Sequence, residues 1–219
     1  MIYKNILFGL PVYHLKINDE LYNKTNILNV IKKNYDISND RDKNSYGNLH
    51  HSFGDEKNKD FNEINYIDFG LTNVYNNIFK NFTNNILKTK KKFSYNYTIE
   101  NYTATKNNQY MKPHNHLPGV DFTSVHYLQF DKNEHQNTVF LNMNNFGDYV
   151  CFLRKDFYDC VDNNNFDNSY LFPNFSYNVE EDDMIIFPSV LKHEIPKQKN
   201  NLDKLRITIV CNLKIEKYE

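Results

Sequence analysis

Two stretches of this 219-residue chain carry side chains whose types and spacing suit chemistry. The first is Lys112-Pro113-His114-Asn115-His116. Side chains alternate along an extended backbone, so His114 and His116, at i and i+2, share one side and both imidazoles can reach one ion. The second runs from Asp183 to Asn212, DMIIFPSVLKHEIPKQKNNLDKLRITIVCN. Here an apolar burst and a Pro188-Ser189 break precede His193, a polar hairpin tip (Lys197 to Lys204) follows, and Arg206 heads the last apolar run. Imidazoles bind first-row metals, and a planar guanidinium meets a carboxylate with two parallel hydrogen bonds. A lone HxH pair is most often incidental. The ordered set is more telling: HxH opening a strand, one later histidine and an arginine heading the final strand, within about 90 residues.

These residues need a scaffold, and the hydrophobic period outlines one. Residues 1–17 read as short β pieces around Gly9 and Pro11. Leu21, Ile27, Val30 and Ile31 then fall at helical spacing, with Asn18 or Asp19 able to cap the start. Leu71, Val74, Tyr75, Ile78, Phe79, Phe82 and Ile86 predict a second helix, ending in the cluster Lys88, Lys90, Lys91, Lys92, which reads as a solvated helix end. From Phe93 the period becomes two. Strands are predicted over 93–104, Phe122 to Phe130, Thr138 to Leu141, Tyr149 to Leu153, Met184 to Phe187 and Leu205 to Ile215. Helices first and then seven or eight short strands joined by polar turns imply antiparallel sheets, a sandwich or barrel with helices packed on one sheet.

Composition limits the alternatives. Twenty-six Lys+Arg against 27 Asp+Glu leave no broad basic field, so no nucleic-acid partner is expected. Thirty-four Tyr and Phe with no Trp carry the apolar load, too much for a disordered chain. Three cysteines without CxxC spacing (Cys151, Cys160, Cys211) suggest neither a disulfide framework nor a zinc ribbon. There is no targeting pattern at the N-terminus and no 18-residue apolar run. The expectation is one cytoplasmic domain without a membrane partner, with 1–92 as an N-terminal strand and supporting helices and 93–219 as the core.

With these motifs in order, the C-terminal half resembles the double-stranded β-helix (jelly-roll) oxygenases that use iron(II) and 2-oxoglutarate, most of all the 2OG-Fe(II) oxygenases of bacteria and marine phages. The resemblance rests on His114-Asn115-His116, Ser124-Val125-His126-Tyr127-Leu128, Asp183 to Ser189, His193 and Arg206-Ile207-Thr208, and covers residues 95–215. It implies a mainly β fold with N-terminal helices, in the cytoplasm of a bacterium or a phage-infected host. It also implies His114 and His193 as iron ligands. The wider superfamily places a carboxylate two residues after the first histidine, where this chain has His116; Asp121 is the reserve. Arg206, Thr208 and Tyr127 would hold the cosubstrate's free carboxylate, with Tyr102 as a weaker candidate.

The implied activity is hydroxylation of a C–H bond with release of succinate and CO2, using Fe(II), 2-oxoglutarate and O2, with ascorbate as a supporting reductant. A three-His iron oxygenase that does not use 2-oxoglutarate and a non-catalytic jelly-roll module are the alternatives. The prime substrate is left as a peptide or a polar small molecule. Segments 36–60 and 154–176 are candidate loops over the pocket mouth. His50 and His51 are expected as substrate contacts more than as ligands. His14, His126, His135 and Cys211 are expected to be structural.

Overall fold

The computed structural model describes residues 1–38, 46–52, 61–87 and 93–218. The lysine cluster at 88–92, and most of the loop proposed at 36–60, lie outside the described residues. Two antiparallel sheets face each other. The larger is built from β1 (Tyr3–Leu7), β2 (Leu10–Lys16), β4 (His50–His51), β5 (Phe93–Thr105), β7 (Phe122–Gln129), β10 (Asp183–Pro188) and β12 (Arg206–Tyr218), in the order β1-β2-β10-β7-β12-β5-β4. The smaller holds β3 (Gly47–Asn48), β6 (Tyr110–His114), β8 (Val139–Leu141), β9 (Asn174–Ser176) and β11 (His193–Ile195), in the order β3-β6-β11-β8-β9.

Two helices cover the outer face of the larger sheet, α1 (Lys24–Ile37) and α2 (Leu71–Asn81, continued by a π turn, Phe82–Ile86). Their buried stripes, Ile27, Ile31 and Tyr35 with Leu71, Val74, Tyr75, Phe79 and Phe82, pack on Ala104, Leu128, Ile186, Ile207, Ile209 and Cys211. The inner face of the same strands meets the smaller sheet through Val125, Tyr127, Phe140, Phe175, Phe187 and Val210. The sheet is thus apolar on both sides over much of its area, which stabilises a scaffold whose remaining inner positions are free for polar work. Among the described residues no helix is long and apolar enough to cross a membrane.

The structure departs from the sequence expectations in four places. Asn18 caps only a 3-10 turn (Asp19–Leu21); the first α-helix starts later, at Asn23, whose side chain accepts from the Asn26 amide, and Leu21 is exposed. Tyr149 to Leu153, expected as a strand, lies in α3 (Asn145–Leu153), because Asn144 caps it by accepting from the Phe146 amide and Phe146, Val150 and Leu153 repeat at helical spacing. A five-residue apolar run cannot by itself tell strand from helix. The strands number twelve among the described residues, since two- and three-residue ladders such as β3, β4 and β11 carry too few positions to show a period. Finally, His193 and Arg206 do not flank a hairpin: β11 and β12 lie in different sheets, so 196–205 carries the chain across the sandwich.

Candidate metal and carboxylate site

That crossing sets His193 opposite Arg206 across one inner cavity. The register of the smaller sheet pairs His193 directly with His114, and just past the end of β6 the His116 amide donates to Ser189 O at 3.1 Å. The three imidazoles converge: ring centroids lie 4.4 Å apart for His114–His193, 5.3 Å for His114–His116 and 5.4 Å for His116–His193, the last pair parallel. One nitrogen from each lies within 4.8 Å of the others, the one such group of His, Cys, Asp or Glu found among the described residues.

The hydrogen bonds fix which nitrogens point inward. His114 Nδ1 faces Lys112 O at 3.0 Å and His193 Nδ1 faces Leu191 O at 3.0 Å. A carbonyl only accepts, so each Nδ1 carries the proton and each Nε2 keeps its lone pair. His116 Nε2 is buried with no protein partner. Burial holds all three rings below the ordinary histidine pKa: His114 is lowered, His116 falls to about 4 with His114 adding to the effect, and His193 is pushed well down by burial and then by its two neighbours. Three neutral imidazoles with converging lone pairs and an unsatisfied buried nitrogen fit a divalent metal ion. Asp121 is elsewhere: it is exposed, and its carboxylate accepts from the Ile215 amide at 2.7 Å.

The far end of the cavity has the opposite polarity. Arg206 is fully buried, and among the described residues no carboxylate pairs with it. Its Nε donates to Gln136 O (3.1 Å) and its Nη2 to Thr138 Oγ1 (2.9 Å), while Nη1 has no partner. Tyr127 donates to the same Thr138 oxygen at 2.7 Å, and the guanidinium carbon stands 5.3 Å from the Tyr127 ring centre. A hydroxyl that accepts twice retains its own proton to donate, so Thr138 O–H and Arg206 Nη1 are two donors awaiting an acceptor. Burial lowers the Arg206 pKa and raises that of Tyr127; the cation opposes the rise at Tyr127.

Between the two ends the cavity, about 320 Å³, is lined by Thr103 and Thr208, whose hydroxyls share a 2.7 Å hydrogen bond, and by Asn101, Val125, Val210 and Asn212. Tyr46 also lines it, held by β3, where Gly47 (φ +146°) comes so close that a Cβ would meet Tyr110 O at 2.5 Å.

The sequence-predicted residues therefore divide. His114, His116, His193, Arg206 and Thr208 line one cavity, and Tyr127 sits behind it, against Arg206 and Thr138. Tyr102 does not face it: its hydroxyl meets Asn34 Nδ2 (3.0 Å) and His50 Nε2 (3.1 Å) under the helices. His50 is accordingly turned away as well, and His51 is buried edge-on to Tyr46 at 5.5 Å. His126 packs under α2 against Tyr75 Oη (2.8 Å), and His135 is buried, its Nδ1 accepting from the Asp131 amide and its Nε2 facing Lys204 O. His14 pairs with Asp183 at 3.0 Å, and Cys211 is buried under the helices. Segment 154–176 contributes no lining residue: Tyr158, Val161, Leu171 and Phe172 pack with Val150 as a small satellite cluster, while Phe166 and Phe175, the latter on β9, join the core between the sheets. Thr138, Thr103, Asn101 and Asn212 were not singled out from the sequence. Only Asn212, in phase with Arg206 and Thr208 on β12, carried a local signal, while Asn101, Thr103 and Thr138 reach the cavity from β5 and from the residue before β8.

Comparison with known proteins follows the same lines. The profile of the family described as "Putative 2OG-Fe(II) oxygenase" matches residues 102–212, just over half of the chain. None of the curated proteins compared matches it. In solved structures the fold is similar to that of a Pseudomonas putida prolyl-4-hydroxylase, at 8% identity over 94% of this chain and 93% of that one, with a TM-score of 0.52. It is also similar to a Trichoplax adhaerens prolyl hydroxylase solved with a peptide fragment of the hypoxia inducible factor oxygen degradation domain, at 13% identity over 92% and 83% and a TM-score of 0.50. At these identities the likeness is one of fold, the oxygenase jelly roll.

Proposed function

The chain belongs to the 2OG-Fe(II) oxygenase family matched by its residues 102–212, and on that premise we propose that His114, His116 and His193 hold the iron while Arg206, Thr138 and Thr208 hold the free carboxylate of 2-oxoglutarate. The observation that carries this reading is the buried, unpaired Arg206. A charge taken out of water without a partner is strongly unfavourable, and a ligand carboxylate is the missing counter-ion. Iron(II), when bound, supplies the oxygen activation that couples decarboxylation of 2-oxoglutarate to succinate and CO2 with oxidation of a substrate C–H bond.

The chain's own residues bind and orient. Arg206 Nη1 and the Thr138 hydroxyl donate to the carboxylate, a charge-assisted pair in a water-poor pocket. Tyr127 fixes both from behind, by its hydrogen bond to Thr138 and its ring beside the guanidinium. Lys112 O and Leu191 O hold His114 and His193 in the tautomer that presents Nε2. His116 in place of a carboxylate leaves the site one negative charge short, so the bound cosubstrate becomes the main source of charge compensation. Val125 and Val210 form the apolar wall that keeps water from the reacting centre. The prime substrate is a peptide or a polar small molecule, taken up in the cytoplasm.

Purified protein with iron(II), 2-oxoglutarate and ascorbate as the reductant should form succinate slowly without a prime substrate, and His193→Ala should abolish it. An anaerobic titration with manganese(II) in place of iron separates the readings: Arg206→Ala losing cosubstrate affinity supports this one. Wild type that binds metal but not 2-oxoglutarate would instead favour an oxygenase working from three histidines alone. Protein that binds neither would point to a non-catalytic module.

A further inference from the structure

We infer that the prime substrate is a peptide that adds as an extended strand to the open edge of β5, with Asn101 reading it where the edge groove enters the histidine-lined cavity. This rests on the oxygenase reading and names its substrate class. Three independent features carry it. The first is the edge itself. β4 pairs with β5 only at Thr103 and Ala104, and just beyond it Ser52 Oγ accepts from the Tyr102 amide at 3.1 Å. From Phe93 to Asn101, β5 is paired with β12 on one side and, among the described residues, with no strand on the other. Exposed edges are templates for another chain, and they are normally blunted with Lys or Pro. FSYNYTIEN, residues 93–101, has neither; its one charged residue, Glu100, sits at a bulge beside Asn101, so the ladder offered to a partner runs N-terminal to it.

The second feature is space. A groove of about 620 Å³ flanks this edge, walled by Phe61, Asn62, Ile64 and Tyr66, and it meets the metal-side cavity at Glu100 and Asn101. The third is an unsatisfied group at that junction. Asn101 is 6% exposed and its Oδ1 has no partner. A buried acceptor left unmade costs about 1–3 kcal/mol, so this oxygen calls for an N–H from outside. It is not part of the carboxylate clamp. Asn101 pairs with Val210 on β12, two side-chain rungs from Arg206, and the intervening Thr103 and Thr208 bond to each other. A peptide satisfies all three features at once: its alternate amides pair with the edge, its side chains enter the groove, and the next N–H reaches Asn101. A small molecule in the inner cavity would leave the edge unpaired.

The test uses the full chain, anaerobic, with manganese(II), and a random dodecapeptide library as the probe, read by binding with and without 2-oxoglutarate. We expect selected peptides to bind. N-methylation of alternate amides in them should weaken binding about tenfold or more, and methylation of the intervening amides far less. Asn101→Leu should weaken peptide binding about tenfold while 2-oxoglutarate affinity holds within a factor of two, and Asn101→Asp, which keeps the acceptor, should retain most of it. With iron and air, the selected peptides should accelerate succinate formation and gain one oxygen atom. The inference is overturned if no peptide is retained while free amines, sugars or nucleotides accelerate turnover. It is equally overturned by N-methylation tolerated at every position, or by Asn101→Leu binding peptide as wild type does. Peptide binding that shows the alternation in a protein unable to bind 2-oxoglutarate would sustain the edge site and sink the oxygenase reading.

Discussion

The two faces of the larger sheet, read along the same strands, do opposite things. Toward the helices β5, β7 and β12 present Tyr102, Ala104, His126, Leu128, Ile207, Ile209 and Cys211; toward the smaller sheet they present Asn101, Thr103, Val125, Tyr127, Arg206, Thr208 and Asn212. On the helix face most polar groups meet one another: Tyr75 meets His126 Nδ1, Tyr102 meets Asn34 and His50, and Asp182 is bound by Lys24 and Tyr22, while His126 Nε2, 3.7 Å from Asp182, and Ser124 Oγ make no hydrogen bond. On the cavity face Arg206 Nη1, Asn101 Oδ1 and, across the cavity, His116 Nε2 are all left without one. The difference teaches that burial alone does not mark function here. What marks it is unmet polar groups gathered around one cavity, as Arg206, Asn101 and His116 are, whereas His126 Nε2 and Ser124 Oγ are enclosed without one.

Substitution can break that contrast, and Arg206 should do so most severely. Arg206→Met should abolish measurable 2-oxoglutarate binding, a loss of at least about 100-fold expected for removing one partner of a buried charge pair. By the same physics the variant without ligand should be at least as stable as wild type, because an uncompensated buried charge is gone; calorimetric titration and thermal unfolding read the two halves. If Arg206→Met unfolds readily, the arginine belongs to the structural face after all.

The histidine pair His193 and His126 comes next. His193→Ala should remove metal binding, read by manganese titration, and also cost some metal-free stability, because the ring is buried against Phe140 and Phe187. His126→Ala should leave metal binding intact and destabilise by about 2–3 kcal/mol, since it opens a cavity and strands the Tyr75 hydroxyl and the Asp182 side. Reversed results would mean that the two faces have been assigned the wrong way round.

Acid should act more gently and on both faces, since burial also lowers the pKa of His126. Burial lowers the pKa of His114, His116 and His193 in the folded protein below the ordinary 6.5. Between that value and the lowered ones the unfolded chain binds protons that the folded chain does not, so stability rises with pH and falls on acidification. Each histidine contributes up to about 1.4 kcal/mol per pH unit within its window. Denaturant titrations of metal-free protein from pH 7 to pH 5 should show the decline, and His116→Phe should make it shallower. The smallest effect is expected at the clamp's rear: Thr138→Val should weaken 2-oxoglutarate about tenfold, by removing one donor and stranding the Tyr127 hydroxyl.

How much of this was legible beforehand follows from the range over which each signal acts. Period-two alternation marked β5, β7 and β12, and an unbroken apolar run marked β10; the alternation also set Arg206 and Thr208 on one side and Cys211 on the other. The HxH spacing placed two imidazoles together, although the segment closes β6 at His114 instead of opening a strand, with His116 just past its end. Tyr102 was misjudged although its neighbours in sequence, Asn101 and Thr103, line the cavity: one residue of phase decides the face, and nothing local to Tyr102 states it. Tyr149 to Leu153 failed for want of length.

The sequence by itself determined the inventory: an HxH pair, a later histidine, an arginine in phase with a threonine, and strands long enough to carry them. Only the tertiary structure decided that His193 faces His114 across a ladder while Arg206 sits in the opposite sheet, that Thr138 meets both Arg206 and Tyr127, and that Asn101 is left with an unmet acceptor. These are relations between residues that come together from far apart in the chain, such as Thr138 and Arg206, and they follow from sheet pairing and from the crossing at 196–205. Local propensity has no access to them, because the free energy that fixes them is that of packing one sheet against another.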